Sequence, residues 1–316
     1  MDRLIKISDG AVEAGVIPGL GGMVALFRIV GKPNAFKADP KLWGASPQTR
    51  SKFGPNYAWE AYNGHIVWLG PQSEWWAHQT ASAKMRREKA AWPPDPYINH
   101  GSYEVTERSG TGLVMRGPQS KFSGVRLIKS LRIKGGKAIF KVRAENVREE
   151  PVSWDLWLNT RVDGYARCYA PAPSMKRVRI DGPPPSGVDD RSVFSCGGGY
   201  VATEPRKPSK GKSRRWAKAF IQASKGAMAA FTAGQALIVR FKRHPPALIH
   251  PEQALVEFYN VTTRNKADAL TELEYHAPYV ALAPGEFMEA EQQWELYPFK
   301  AKPSHEECVE FLRETV

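Results

Sequence analysis

Cysteine is scarce in this chain of 316 residues. Cys168, Cys196 and Cys308 are odd in number and far apart, which excludes a disulfide framework and a CxxC metal site; three reduced thiols are expected. No apolar run approaches the ~20 residues of a membrane-spanning helix. The opening Met1-Asp2-Arg3-Leu4-Ile5-Lys6-Ile7 lacks the apolar centre of a secretory signal and begins a strand-like alternation. A soluble, cytoplasmic protein is the expectation. No GxSxG elbow, P-loop or GxGxxG followed by a helix is present, and Gly197-Gly198-Gly199 lies in a Cys/Ser-flanked turn. The seven histidines show no HExxH or other tight metal spacing, so neither a metal nor a cofactor is implied. A fixed-period repeat is also missing.

Acidic residues are in the minority, 32 Asp+Glu against 45 Lys+Arg, and the net charge is +13. The excess is concentrated. Residues 204–218 read EPRKPSKGKSRRWAK, seven cations against one acid, which is +6 of the total. With two prolines, a glycine and two serines the stretch is expected to be a long exposed loop inserted between strands. A smaller basic run occupies residues 84–89. Such runs suit a nucleic-acid or phosphate partner, but no nucleic-acid module surrounds them, so a solvated loop is the simpler expectation.

Gly and Pro together make 52 of the 316 residues, about one in six, which implies many short elements. Between turn clusters, β-branched and aromatic residues alternate with polar ones at 112–116, 125–133, 138–144, 152–162, 217–223, 236–241, 254–259 and 269–275. Residues 125–133, then Gly135-Gly136, then 138–144 predict a hairpin. The pattern is all-β and disfavours an alternating α/β enzyme. The last segment is the exception: Ser304 and Glu307 form a capping box ahead of the apolar stripe Cys308, Val309, Phe311 and Leu312. A weaker helical stretch is expected at 73–89. No linker divides the chain, so one domain is expected over 1–300, with the helix of 301–316 packed on it.

Four of the ten tryptophans, Trp59, Trp68, Trp75 and Trp76, fall within eighteen residues, beside Asn63-Gly64-His65 and Gly70-Pro71-Gln72. Aromatic faces next to amides and imidazoles suit a sugar ring, and they equally suit the core of a large sandwich. His100, before the strand at Tyr103-Glu104-Val105, and His65 are candidate acids or bases. Glu272 and Glu274 alternate with Leu273, so a strand places both carboxylates on one face about 7 Å apart. Desolvation there raises one carboxyl's pKa in the other's presence, a condition for a general base, although an exposed sheet face carries the same pattern without function.

With these residues in view, the chain resembles the galactose mutarotase-like (aldose 1-epimerase-like) superfamily, in an uncharacterised bacterial branch. Residues 16–23 (VIPGLGGM) resemble its early strand and Gly-Gly turn, and 32–36 (KPNAF) its sugar-site edge. Residues 63–71 (NGHIVWLGP) are similar to the loop of hexose-6-phosphate mutarotases, and His100-Gly101 to their His-Gly turn. Residues 271–275, then Ala283-Pro284-Gly285-Glu286 and 291–296, resemble the strand bearing the catalytic glutamate, a Pro-Gly turn and the closing strand. The resemblance implies a β-supersandwich whose concave face binds a hexose or hexose phosphate. It also implies isomerase chemistry in which a glutamate takes the anomeric proton and a histidine protonates the ring oxygen. The base would be Glu272 or else Glu274. The histidine's place is taken by Asn159, whose amide cannot donate and recover a proton, and Arg161 adds a permanent cation. Either His65 or His100 supplies the acid, or the site, with Trp68, Gln72, Trp75 and Trp76 as its platform, only binds carbohydrate. A basic nucleic-acid-associated protein is the remaining alternative.

Overall fold

Alternation of apolar and polar residues builds two large antiparallel sheets, in the computed structural model, which describes residues 4–39, 63–181 and 193–316. The first sheet runs β1 (Ile5–Ser8), β2 (Val12–Ile17), β3 (Met23–Ile29), β4 (His65–Gly70), β9 (Val152–Asp163), β18 (Leu270–His276), β17 (Val256–Thr263), β14 (Arg214–Ile221) and β11 (Val178–Asp181), with β19 (Val280–Leu282) also paired to β9. The second runs β12 (Phe194–Gly197), β13 (Tyr200–Thr203), β10 (Arg167–Pro171), β15 (Ala227–Thr232), β16 (Gln235–Phe241), β20 (Phe287–Pro298), β8 (Lys137–Asn146), β7 (Val125–Lys134), β6 (Gly112–Arg116) and β5 (Glu104–Arg108). The expected all-β class is what the chain adopts.

The core lies between the sheets. Period-2 burial on β7 and β8 sends Leu127, Leu131, Phe140 and Val142 inward while the alternate residues meet solvent. Their hairpin closes through Gly135 and Gly136 at φ +59° and +74°, the left-handed pair that a two-residue turn between right-twisted strands requires. β9 and β18 differ from the outer strands: both of their faces are buried, so they read as near-continuous buried runs. That places polar residues of both strands out of water, which the site exploits.

The last helix, α3 (His305–Thr315), has the predicted capping box, and Cys308, Val309 and Leu312 dock on Tyr169, Tyr200 and Phe231 of the second sheet. The weaker stretch at 73–89 holds only a 3₁₀ turn (Gln72–Glu74) and a five-residue helix, α1 (Ala83–Arg87), because Met85 alone of that helix is buried and no apolar stripe continues it. The basic run departs further from expectation. It is loop only as far as Ser213; from Arg214 it is β14, where Pro, Gly and Ser give way to the Trp216-Ala217-Lys218-Ala219-Phe220 alternation of a half-buried strand. Arg215 donates to the Glu204 carbonyl oxygen at 2.7 Å, and Lys218 turns into the sheet face.

One turn ties the sheets together. Gly21 at φ +63° donates its N–H to the Gly101 carbonyl and accepts the buried Lys129 ammonium at 2.7 Å. A Cβ on Gly21 would stand 2.2 Å from the Asn99 carbonyl oxygen. Gly21→Ala is therefore expected to cost about 2–4 kcal/mol of stability, from left-handed strain plus overlap. Urea unfolding measures it, and a cost under about 0.5 kcal/mol would show that the turn relaxes freely.

Candidate functional site

Strand register decides which side chains meet. Across β9 and β18, Arg161 lies opposite Glu272, Asn159 opposite Glu274, and Trp157 opposite His276. β4 adds Trp68 opposite Trp157 and Ile66 opposite Asn159, while β17 adds Glu257 opposite Glu274 and Tyr259 opposite Glu272. Directly paired residues share a face, so these side chains project together from the side of the first sheet turned away from the second. The paired glutamates, Asn159, Arg161 and Trp68 are thus brought together as the sequence suggested.

The face is charged and dry. Arg161 Nε donates to Glu272 Oε1 at 2.7 Å. Lys218 Nζ reaches Glu257 Oε2 at 2.7 Å and Glu274 Oε2 at 2.9 Å. His276 stands between Asp155 (Nδ1 to Oδ1) and Glu257 (Nε2 to Oε1), each at 3.4 Å. Asp155, Asn159, Glu274 and His276 are fully buried, whereas Glu272 keeps 8% exposure. Burial opposes the charged imidazole, but the Glu257 and Asp155 carboxylates outweigh it and push the His276 pKa up to about 10. Burial likewise works against ionised Glu257, yet Lys218 and His276 bring it down to about 2. For Glu274 burial wins over the attraction of Lys218, with Glu257 and Glu272 adding like-charge repulsion, and its pKa rises to about 8. The charge count agrees: three cations, Arg161, Lys218 and His276, meet four carboxyl groups, Asp155, Glu257, Glu272 and Glu274, so one retained proton makes the cluster neutral.

Several buried atoms here have no hydrogen-bond partner among the described residues: both amide atoms of Asn159, Arg161 Nη1, Glu274 Oε1 and Trp157 Nε1. An unpaired buried polar group costs about 1–3 kcal/mol, and folded chains contain few of them. Five such atoms thus lie on the adjoining strands β9 and β18. An open cleft of about 1130 Å³ between the ends of β16 and β20 and residues 277–286 lies elsewhere, and no such atom lies on its wall. Glu257, Glu274 and His276 have ligand atoms within 4.8 Å of one another, the spacing of a cation site, but the Lys218 ammonium already bridges the two carboxylates.

Of the suggested histidines, His65 faces the other way. His65 pairs with Thr160, so it points into the core between the sheets, its Nδ1 at 2.9 Å from Thr160 Oγ1 and its ring against Phe140 and Trp294. Burial and Lys129 hold it neutral, well below the usual imidazole range. It faces away from both glutamates and cannot serve as their acid. His100 is buried at the C-cap of the short helix α2 (Pro96–Asn99), on a segment hydrogen-bonded to the 18–22 turn. Among the tryptophans, Trp68 stands edge-on to Trp157 at 4.8 Å and to Trp75 at 5.8 Å, and the Arg161 guanidinium lies 5.3 Å from the Trp68 ring. Trp75 is anchored to the Leu69 carbonyl. Gln72 is exposed and bonded to the Ala91 carbonyl, and Trp76 sits under Lys89. Trp59 lies outside the described residues.

Sequence reading missed Asp155, Trp157, Lys218, Glu257 and His276. His276 continues the Glu272, Glu274 alternation, and Asp155 and Trp157 continue that of Asn159 and Arg161, so period 2 could have found them. Lys218 was harder to find, because it lies where the expected basic loop of 204–218 overlaps the expected strand at 217–223 and its partners stand on other strands.

A family model described as a domain of unknown function, DUF4380, matches residues 2–297. No curated protein matches the chain. Solved structures do. A galactose mutarotase-like protein from Lactobacillus casei is 11% identical, with a TM-score of 0.53 over 93% of this chain and 100% of that one. A galactose mutarotase related enzyme from Lactobacillus acidophilus is 9% identical, with a TM-score of 0.55 over 95% and 100%. A galactose mutarotase-like protein from Clostridium acetobutylicum is 8% identical, with a TM-score of 0.55 over 93% and 95%. At such identities the likeness establishes the galactose mutarotase-like fold. No helix among the described residues is long and apolar enough to cross a membrane.

Proposed function

The chain belongs to the DUF4380 family on a galactose mutarotase-like fold, and on that premise we propose that it binds the ring of a small aldose or aldose phosphate and interconverts its anomers. The observation that carries this reading is the set of unpartnered buried atoms on Trp157, Asn159, Arg161 and Glu274. They offer donors and an acceptor in one place, which is what a ring bearing hydroxyls on most of its carbons completes. Trp68 and Trp157 supply apolar faces for its C–H surfaces. Glu272, the least buried carboxylate of the cluster, is the general base for the anomeric hydroxyl. Arg161 holds that carboxylate in place and keeps Nη1 for an oxygen of the ligand. Because these groups are nearly closed from solvent, a sugar reaches them only as covering side chains move aside. The turning inward of Arg215 and Lys218 removes two cations from the basic run and favours this reading over a nucleic-acid one.

The test is exchange between anomers followed by NMR for D-glucose, D-galactose and their 6-phosphates. Glu272→Gln is expected to lower the enzymatic rate about 10²–10⁴-fold, the span of a lost general base. Exchange no faster than buffer with the unaltered protein on every probe would overturn the enzymatic reading, and saturable binding without acceleration would leave a carbohydrate-binding protein.

A further inference from the structure

An anomer-interconverting site needs a proton donor for the ring oxygen, and the residues considered so far do not supply one. The Asn159 amide cannot act, His65 points into the core, His100 caps α2 on the segment hydrogen-bonded to the 18–22 turn, and the His276 proton is held, against burial, by Glu257 and Asp155, each 3.4 Å away, which push its pKa up to about 10. We infer that the Glu274 carboxyl is this donor, so that two glutamates on one strand share the chemistry; the inference rests on the reading of the site given above.

Geometry carries it. Glu274 is two residues from Glu272 on the same face, and i, i+2 side chains on a strand stand about 7 Å apart. That spacing matches the span of the O1–C1–O5 unit of a pyranose, which would lie between the two carboxyl groups once covering side chains move aside. Glu274 Oε2 is taken by Lys218, while Oε1 has no hydrogen-bond partner among the described residues, nor has the amide of Asn159, its cross-strand neighbour. A ring oxygen placed there satisfies both, accepting from the carboxyl and from the amide.

The electrostatics point the same way. Glu272 has Arg161 to itself and Glu257 has both Lys218 and His276, whereas Asp155, its pKa raised by burial, shares His276 with Glu257. Glu274 shares Lys218 with Glu257 and faces Glu257 across the ladder and Glu272 along its own strand. Burial outweighs the attraction of Lys218 and raises its pKa to about 8, so the Glu274 carboxyl carries a proton to donate near neutrality.

The step balances. The Glu272 carboxylate takes the proton of the anomeric hydroxyl, the C1–O1 bond becomes a carbonyl as the C1–O5 bond breaks, and O5 takes the proton of Glu274. Rotation about C1–C2 turns the other carbonyl face toward O5. In the return step O5 gives its proton back to the Glu274 carboxylate as it attacks C1, and O1 recovers the proton from Glu272. No redox change and no net proton uptake occur.

The experiment is the pH profile of kcat/KM for anomer exchange on the same four probes, for the unaltered protein, Glu274→Gln and Glu274→Asp. The unaltered protein should lose activity above about pH 8, as the donor ionises under the joint influence of Lys218, Glu257, Glu272, His276 and Arg161. Glu274→Gln should fall 10²–10⁴-fold and show no such basic limb, whereas Glu274→Asp should be slower yet keep it. A Gln variant with the unaltered rate, or one that retains the limb, overturns the inference, and so does an unaltered-protein profile that stays flat or rises through pH 9, which needs no variant to fold. Failure of the underlying reading looks different: the unaltered protein then accelerates none of the four probes at any pH.

Discussion

Lys218→Met is expected to destabilise the protein by about 2–4 kcal/mol, below the top of the range for removing one partner from a buried ion pair because the lysine side chain keeps 21% exposure. The ammonium sits 2.7 Å from Glu257 and 2.9 Å from Glu274, whose side chains are 1% and 0% exposed. A surface lysine removed in the same way would cost well under 1 kcal/mol. The difference is the state left behind: with Lys218 gone, His276 alone must offset the charge of Glu257 and Asp155, and Glu257 can no longer remain ionised at low cost. Urea unfolding at pH 7 gives the value. Adding Glu257→Gln to Lys218→Met should recover part of the loss, because the double variant buries no uncompensated carboxylate, and the double-mutant cycle isolates the pair. A single-variant cost below about 1 kcal/mol would mean that water already reaches the cluster.

The second large effect is a pH-dependent difference between the unaltered protein and Glu274→Gln. The folded-state pKa of Glu274 is raised to about 8 from an ordinary 4.5. Between those values the native state holds a proton that the unfolded chain releases. The stability associated with that proton is fully present below about pH 4.5 and is lost as pH rises through about 8. Glutamine carries no such proton, so the difference should move toward the variant by up to about 1.4 kcal/mol per pH unit over this window and level off above it. Groups common to both chains and remote from Glu274, among them Lys129 with its pKa depressed to about 7 by burial, cancel in the difference. Unfolding free energies at pH 5, 6.5, 8 and 9 decide the matter. A difference independent of pH would show Glu274 ionised throughout, and the neutral-cluster account would fall with it.

Much of the architecture was legible residue by residue. Alternation marked strands at 112–116, 125–133, 138–144 and 152–162 that recur as β6, β7, β8 and β9 with ends shifted by at most three residues. Gly135-Gly136 announced the hairpin, and Ser304 with Glu307 announced the start of α3. These are local decisions, made by turn chemistry, capping and period-2 burial. The same period placed Glu272 and Glu274 on one face, which the pairing with Arg161 and Asn159 bears out.

What the chain could not reveal locally depends on residues far apart in sequence. His65 reads as a polar candidate beside a tryptophan, yet its pairing with Thr160 rotates it into the core, because a one-residue offset on a strand exchanges one face for the other. Lys218 reads as the tail of a basic loop, but β14 pairs with β17 and carries it to Glu257 and Glu274. The sequence by itself determined the all-β class, the hairpin, the terminal helix and the shared face of two glutamates. Only the tertiary structure decided which cation meets which carboxylate and which carboxyl keeps its proton, since both follow from inter-strand register and burial, quantities that exist only once distant strands have paired.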